Sequence, residues 1–103
     1  MEEININVGD YFRASNIDRT TGETIKEWIV LIKSVGSRII ATDLRVYNMN
    51  PNFNSEISWL CNCIYREHGK TYYYNTYSGA YVEFKKITKE EANNLSKPTE
   101  RYY

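Results

Sequence analysis

Closely spaced turn-forming residues constrain this chain more than any other feature of it. Its five glycines each stand in a turn-like setting: "VGD" at Gly9, "RTTGE" at Gly22, "SVGSR" at Gly36, "EHGK" at Gly69 and "YSGA" at Gly79. Glycine tolerates the backbone angles that tight turns need and that side chains disfavour. The one long gap between them holds "NMNPNFNS" at 48–55, where asparagine and Pro51 make a loop instead. The intervening pieces are rich in Val, Ile, Tyr, Phe, Trp and Thr, which suit a pleated, half-buried surface. A chain cut at these intervals is predicted to fold mainly as short strands.

Strands are expected near 4–16 with a bend at Gly9, then over 25–35, 38–47, 56–66, 71–77 and 80–86. In "EWIVLIKSV" Trp28, Val30 and Ile32 share one face while Ile29 and Leu31 make the other apolar too, the pattern of a central strand. A two-residue turn at "GS" joins it to "RIIATDLRVY", which alternates with Ile40, Leu44 and Val46 inward and Arg38, Asp43 and Arg45 toward water. Ile57, Trp59, Cys61, Cys63 and Tyr65 line one face of "EISWLCNCIYR". One short helix is expected in "ITKEEANNL", where Thr88 caps the first turn and Glu91 returns the bond. Its apolar positions Ile87, Ala92 and Leu95 would lie against the sheet.

The fold class read from this pattern is mostly β: a small antiparallel barrel or strongly bent sheet of about six strands with one short C-terminal helix, of the SH3-like or OB-like kind. The opening "VGDYF", ahead of a loop and a strongly apolar strand, resembles the start of many SH3-like barrels, over a handful of residues. With 103 residues there is room for one core. Residues 1–96 are read as a single domain and 97–103 as a flexible tail.

Charge narrows the partners. Thirteen basic and thirteen acidic residues leave a formal net charge of zero, whereas nucleic-acid and membrane-surface binders usually carry a basic excess or stripe. The start "MEEININVGD" lacks the pattern of a secretory signal, and no window reaches the ~18 apolar residues of a membrane span. A cytoplasmic protein without membrane contact is therefore expected, its cysteines reduced. The C-x-C spacing in "WLCNCIY" fits that compartment, since residues i and i+2 of a strand stand about 6.6 Å apart with parallel Cβ vectors, poor geometry for a disulfide.

Five of the ten tyrosines fall within "HGKTYYYNTYSGAYVEF" at 68–84. If Tyr77, Ser78 and Gly79 form a three-residue loop, Thr76 opposes Ala80, Asn75 opposes Tyr81, and Tyr72 and Tyr74 stand beside Phe84 and Val82 in the core. The other face then carries Tyr73, Asn75, Tyr81, Glu83 and Lys85, with Tyr77 at the tip. Tyrosine supplies wide contact area and a hydrogen bond at small entropic cost. Phe53, Tyr73, Asn75, Tyr77, Tyr81 and Lys85 are accordingly the candidate partner-binding residues. The bland reading of the same face is that cross-strand pairs such as Tyr73 with Tyr81 only stabilise an exposed hairpin, by roughly 0.2–1 kcal/mol per pair.

Chemistry is harder to find. His68, the only histidine, lies in a turn, and Cys61 shares its strand face with Trp59 and Tyr65, the setting of an inert thiol. Two cysteines and one histidine fall short of a zinc site, and no phosphate loop, dinucleotide fingerprint or HExxH pattern is present. No enzyme, metal or cofactor is expected. The chain reads as a non-catalytic protein that binds another protein. Its Asn, Ile, Lys and Tyr content suggests an AT-rich genome, and with it a phage or mobile-element inhibitor of a host bacterial defence, of the anti-CRISPR or another anti-defence kind. The alternative is a nucleotide or single-stranded nucleic-acid binder that stacks bases on the same rings. A homodimer is compatible with either.

Overall fold

The computed structural model describes residues 6–60, 64–68, 71–77 and 79–97, with 64–68 and 71–77 described through their backbone pairing alone. In chain order come β1 (Tyr11–Asp18), β2 (Thr24–Val35), β3 (Arg38–Asp43), α1 (Leu44–Met49), β4 (Glu56–Leu60), β5 (Ile64–His68), β6 (Thr71–Tyr77), β7 (Ala80–Ile87) and α2 (Lys89–Ser96). The strands make one antiparallel sheet in the order β4-β3-β2-β1-β7-β6-β5. Seven strands thus replace the six expected, because the segment read as one strand over 56–66 is divided into β4 and β5. Among the described residues no ladder joins those two ends, so the sheet is open.

It is nonetheless strongly bent. Trp59 of β4 and Phe84 of β7 meet edge to face with ring centroids 4.9 Å apart, although β3, β2 and β1 stand between their strands. Four flat strand spacings would hold them about 19 Å apart. The same curl follows from connectivity, since Leu60 and Ile64 are four Cα steps apart and so within about 15 Å. Of the two architectures read from the sequence, the bent sheet is the one observed.

The concave side holds the core. Register sets Phe12 opposite Val30 and Ala14 between Trp28 and Phe84, and these residues join Ile6, Ile32, Ile39, Ala41, Trp59 and Val82 in one buried cluster. Phe12 also meets Phe84 edge to face at 6.5 Å. Trp28, Val30 and Ile32 share the inner face as the sequence indicated.

The turns mostly follow their glycines. Gly22 takes φ +75° in a turn where Asp18 Oδ1 accepts from the Thr20 and Thr21 amides at 2.7 and 3.2 Å. Gly9, at φ +92°, belongs to a turn in which the Asp10 amide donates to the Asn7 carbonyl at 3.0 Å. Among the described residues that turn delays the first strand to a start at Tyr11, and residues 4 and 5 of the expected strand lie outside them. The hairpin turn between β2 and β3 falls at Gly36–Ser37 as read.

The largest correction concerns "TDLRVYNM". The strand expected over 38–47 ends at Asp43, and Leu44–Met49 is helical. Asp43 is 8% exposed, not turned to water. Its Oδ1 accepts from the Arg45 and Val46 amides at 3.1 and 3.4 Å, and its own amide donates to the Ser55 carbonyl at 2.7 Å. A carboxylate that satisfies two first-turn N–H groups is what a helix start requires. The face of β3 is reversed as well: Ile39 and Ala41 are buried, while Ile40, expected inward, is half-buried. A one-residue shift exchanges the two faces of a strand.

The C-terminal helix is where it was expected. Thr88 Oγ1 accepts from the Glu91 amide and Glu91 Oε1 from the Thr88 amide, both at 3.1 Å, and Ala92 is fully buried where α2 packs on β1 and β2. α1 supplies donors to the other end of α2: Arg45 Nε donates to the Leu95 carbonyl at 3.1 Å, and Asn48 Nδ2 to the Ser96 carbonyl at 3.2 Å. These bonds satisfy carbonyls that a helix C-terminus leaves open. The face expected for Cys61 and Cys63, the "EHGK" turn at Gly69 and the end of the tail beyond Lys97 lie outside the described residues. No helix among the described residues is long and apolar enough to cross a membrane.

Candidate partner-binding surface

Two surfaces carry the candidate residues. The first is the convex side of β2, β1 and β7, where register stacks residues in rows. Ile29, Arg13 and Lys85 form one row, Glu27, Ser15 and Glu83 the next, and Thr24, Ile17 and Tyr81 a third, with a bulge at Ile25 of β2 opposite Asn16 and Ile17. On β6 the partners continuing these rows are Thr71 opposite Lys85, Tyr73 opposite Glu83 and Asn75 opposite Tyr81. This is the register read from the sequence for 71–75, including Tyr72 opposite Phe84 and Tyr74 opposite Val82. The tip differs. Tyr77, not Thr76, pairs with Ala80, and a bulge between Asn75 and Tyr77 absorbs the extra residue. Whether the side chains of Tyr73, Asn75 and Tyr77 reach solvent lies outside the described residues.

One end of this face is covered, since Ile29 on the outer side is fully buried and α1 and α2 both contact β2. The other end is open. There a shallow groove of about 200 Å3 runs over Ser15, with Arg13 and Lys85 on one side and Ile17 and Thr24 on the other. Two carboxylates border it. Glu27 is saturated: Arg13 Nε and Nη2 lie 2.7 and 2.6 Å from its Oε2, and Arg45 Nη2 is 2.9 Å from Oε1. Partial burial works to raise the Glu27 pKa, but the hydrogen bonds and charges of Arg13 and Arg45 outweigh it and hold this carboxyl below its ordinary value. Glu83 is less well served, because its ion pair is to Lys85 Nζ at 3.5 Å, and that lysine side chain is 61% exposed. Tyr81 is half-buried, with the Arg19 guanidinium 5.2 Å from its ring centre.

Phe53 belongs to the second surface, the segment made of α1 and the loop that leads from it to β4. No strand pairing brings it to the tyrosine hairpin. It is 67% exposed, and Met49 and Tyr47 on the same segment are 72% and 47% exposed. The asparagines of this loop hold its backbone. Asn50 Oδ1 accepts from the Asn52 amide at 3.2 Å, Asn54 Oδ1 from the Glu56 amide at 3.0 Å, and the Phe53 amide donates to the Asn50 carbonyl at 3.0 Å. With Asn48 bonded to α2, the loop is fixed at several points while its large apolar side chains project. Met49 and Tyr47 were not singled out in the sequence, where an alternating strand pattern obscured the helix that presents them.

Among the described residues no group of three or more His, Cys, Asp or Glu is placed to hold a metal ion. The cysteine and His68 side chains lie outside them. No protein-family model matches the chain, and neither a curated protein nor a solved structure is similar to it.

Proposed function

We propose that this chain is a non-catalytic binding protein whose partner is another protein. The observation that carries the reading is the Tyr47, Met49 and Phe53 trio. Three large side chains, two of them more than two-thirds exposed, stand on a segment with no charged residue between Arg45 and Glu56 and with its backbone already hydrogen-bonded. Aromatic residues and methionine without neighbouring charge make up the centre of protein interfaces, and a fixed loop loses little further entropy on binding. The open end of the β1–β7 face, with Tyr81 and Lys85 and with Tyr73 and Asn75 in register beside them, is the second contact. The curled antiparallel sheet is what supports our reading of a kinship with small SH3-like or OB-like barrels.

A nucleotide or single-stranded nucleic acid is the weaker candidate, because Glu27 and Glu83 stand in the row next to Lys85 and Arg13 and oppose a phosphate there. The narrower reading as an inhibitor of a bacterial defence rests on composition alone. The test is affinity capture from bacterial lysate with the wild-type chain, the M49S/F53S variant and the Y73S/Y81S variant, beside thermal shift with nucleotides and short oligonucleotides. The reading expects a stoichiometric protein that M49S/F53S loses while its melting temperature stays within a few degrees, as for exposed positions generally. Stabilisation by a nucleotide without any captured protein would overturn it.

A further inference from the structure

We propose that the groove over Ser15 is a receptor for a basic side chain, a guanidinium or ammonium group presented by the partner, with Glu83 as its counter-ion. This rests on the reading of the chain as a protein-binding module and names what one of its two surfaces recognises. The case begins with unequal compensation. The Glu83 and Glu27 side chains are equally shielded, each 20% exposed. Glu27 has three short contacts to two arginines, whereas Glu83 has the 3.5 Å approach of Lys85 Nζ. Water solvates the lysine, but a carboxylate four-fifths withdrawn from water and with no closer donor among the described residues is the costlier group to leave unmet. Ser15 adds a hydroxyl beside it. Its hydroxyl lies in register between the two carboxylates and has no hydrogen-bond partner among the described residues.

The rows supply direction. Along the strands the face runs from cations (Arg13, Lys85) to anions (Glu27, Glu83) to the row of Ile17 and Tyr81, where the Arg19 guanidinium already stands 5.2 Å from the Tyr81 ring centre and, among the described residues, Ile17 carries no such cover. A cation entering over that third row continues the alternation. Its aliphatic stem would lie on Ile17 and its head would meet Glu83 and Ser15, with Lys85 on the far side. Long basic side chains bind in this manner, stem on apolar surface and charge on a carboxylate. The ~200 Å3 of the groove suits one side chain and not a drug-sized ligand.

The experiment is an amide-resolved NMR titration of the full chain at low salt with N-acetyl-arginine amide, N-acetyl-citrulline amide and N-acetyl-glutamate amide. The arginine probe should shift the Ser15, Ile17, Tyr81 and Glu83 amides saturably with a Kd on the order of millimolar. The E83Q variant should weaken this about tenfold, the loss expected for a charge-assisted hydrogen bond. Citrulline, which has the shape without the charge, should behave as the variant does. Equal shifts by citrulline, a preference for the glutamate probe through Lys85, or no saturable shift would each overturn the proposal. A null result here beside successful protein capture would sink the groove alone; arginine binding without any captured protein would sink the broader reading.

Discussion

Replacing Asp43 by alanine tests how the contact loop is held. The Asp43 carboxylate accepts from the Arg45 and Val46 amides, and α1 has six residues, too few to persist as an isolated helix. Removing a helix N-cap costs about 0.5–2 kcal/mol. Because Asp43 is 8% exposed and serves two amides, D43A should fall in the upper half, about 1–2 kcal/mol. At about 4–8 °C per kcal/mol for a domain of this size, the melting temperature should drop by roughly 5–15 °C. D43N keeps an oxygen acceptor of similar reach and should retain most of that stability. Urea denaturation gives the free energies, and hydrogen–deuterium exchange gives the location: uptake should rise first in peptides covering 44–55 and little in β1. An equal loss in D43N and D43A, or uptake spread evenly through the sheet, would refute the idea that a local cap holds Tyr47, Met49 and Phe53 in place.

Two further outcomes follow from the packing and the charges. F84A removes the ring that meets both Phe12 and Trp59 and should cost about 3–5 kcal/mol, a large share of the ~5–15 kcal/mol typical of a domain; chemical denaturation beside the milder F84L checks it. The hydrogen bonds and charges of Arg13 and Arg45 hold the folded-state pKa of Glu27 below its ordinary value, so its ionised form stabilises the fold fully above the unfolded value, and this contribution is lost as pH falls through the folded one. Wild-type urea midpoints should therefore decline on acidification below about pH 4.5 more steeply than those of E27Q, and parallel curves would show that the two arginines do not act on this carboxylate.

Local signals were the legible ones. The capping box at Thr88 and Glu91 spans three residues, and the turn at Gly22 is closed by Asp18 a few positions away, so both can be read without knowing the fold. Register in the tyrosine hairpin was readable because Tyr72 and Tyr74 must stand with Phe84 and Val82 if either strand is to bury an apolar face. α1 was hidden because Leu44 and Val46 fit a two-residue repeat as well as a helix turn, and Asp43 becomes a cap only once the chain leaves the sheet there. The charge cluster has no sequence signature. Arg13 and Glu27 are 14 residues apart, Glu27 and Arg45 18, and Arg45 and Leu95 50, so only the strand order and the packing of the helices bring them together.

The placement of β4 and β5 at opposite ends of the strand order, three residues apart in the chain, bears on solubility. A flat sheet margin is a template on which further molecules can stack indefinitely toward fibrils. Here the two margins are tethered by a length of chain too short to let the sheet unroll. Fibril growth from the native state would have to begin with the loss of the Trp59 and Phe84 contact, and conditions that spare that contact should keep the protein dispersed.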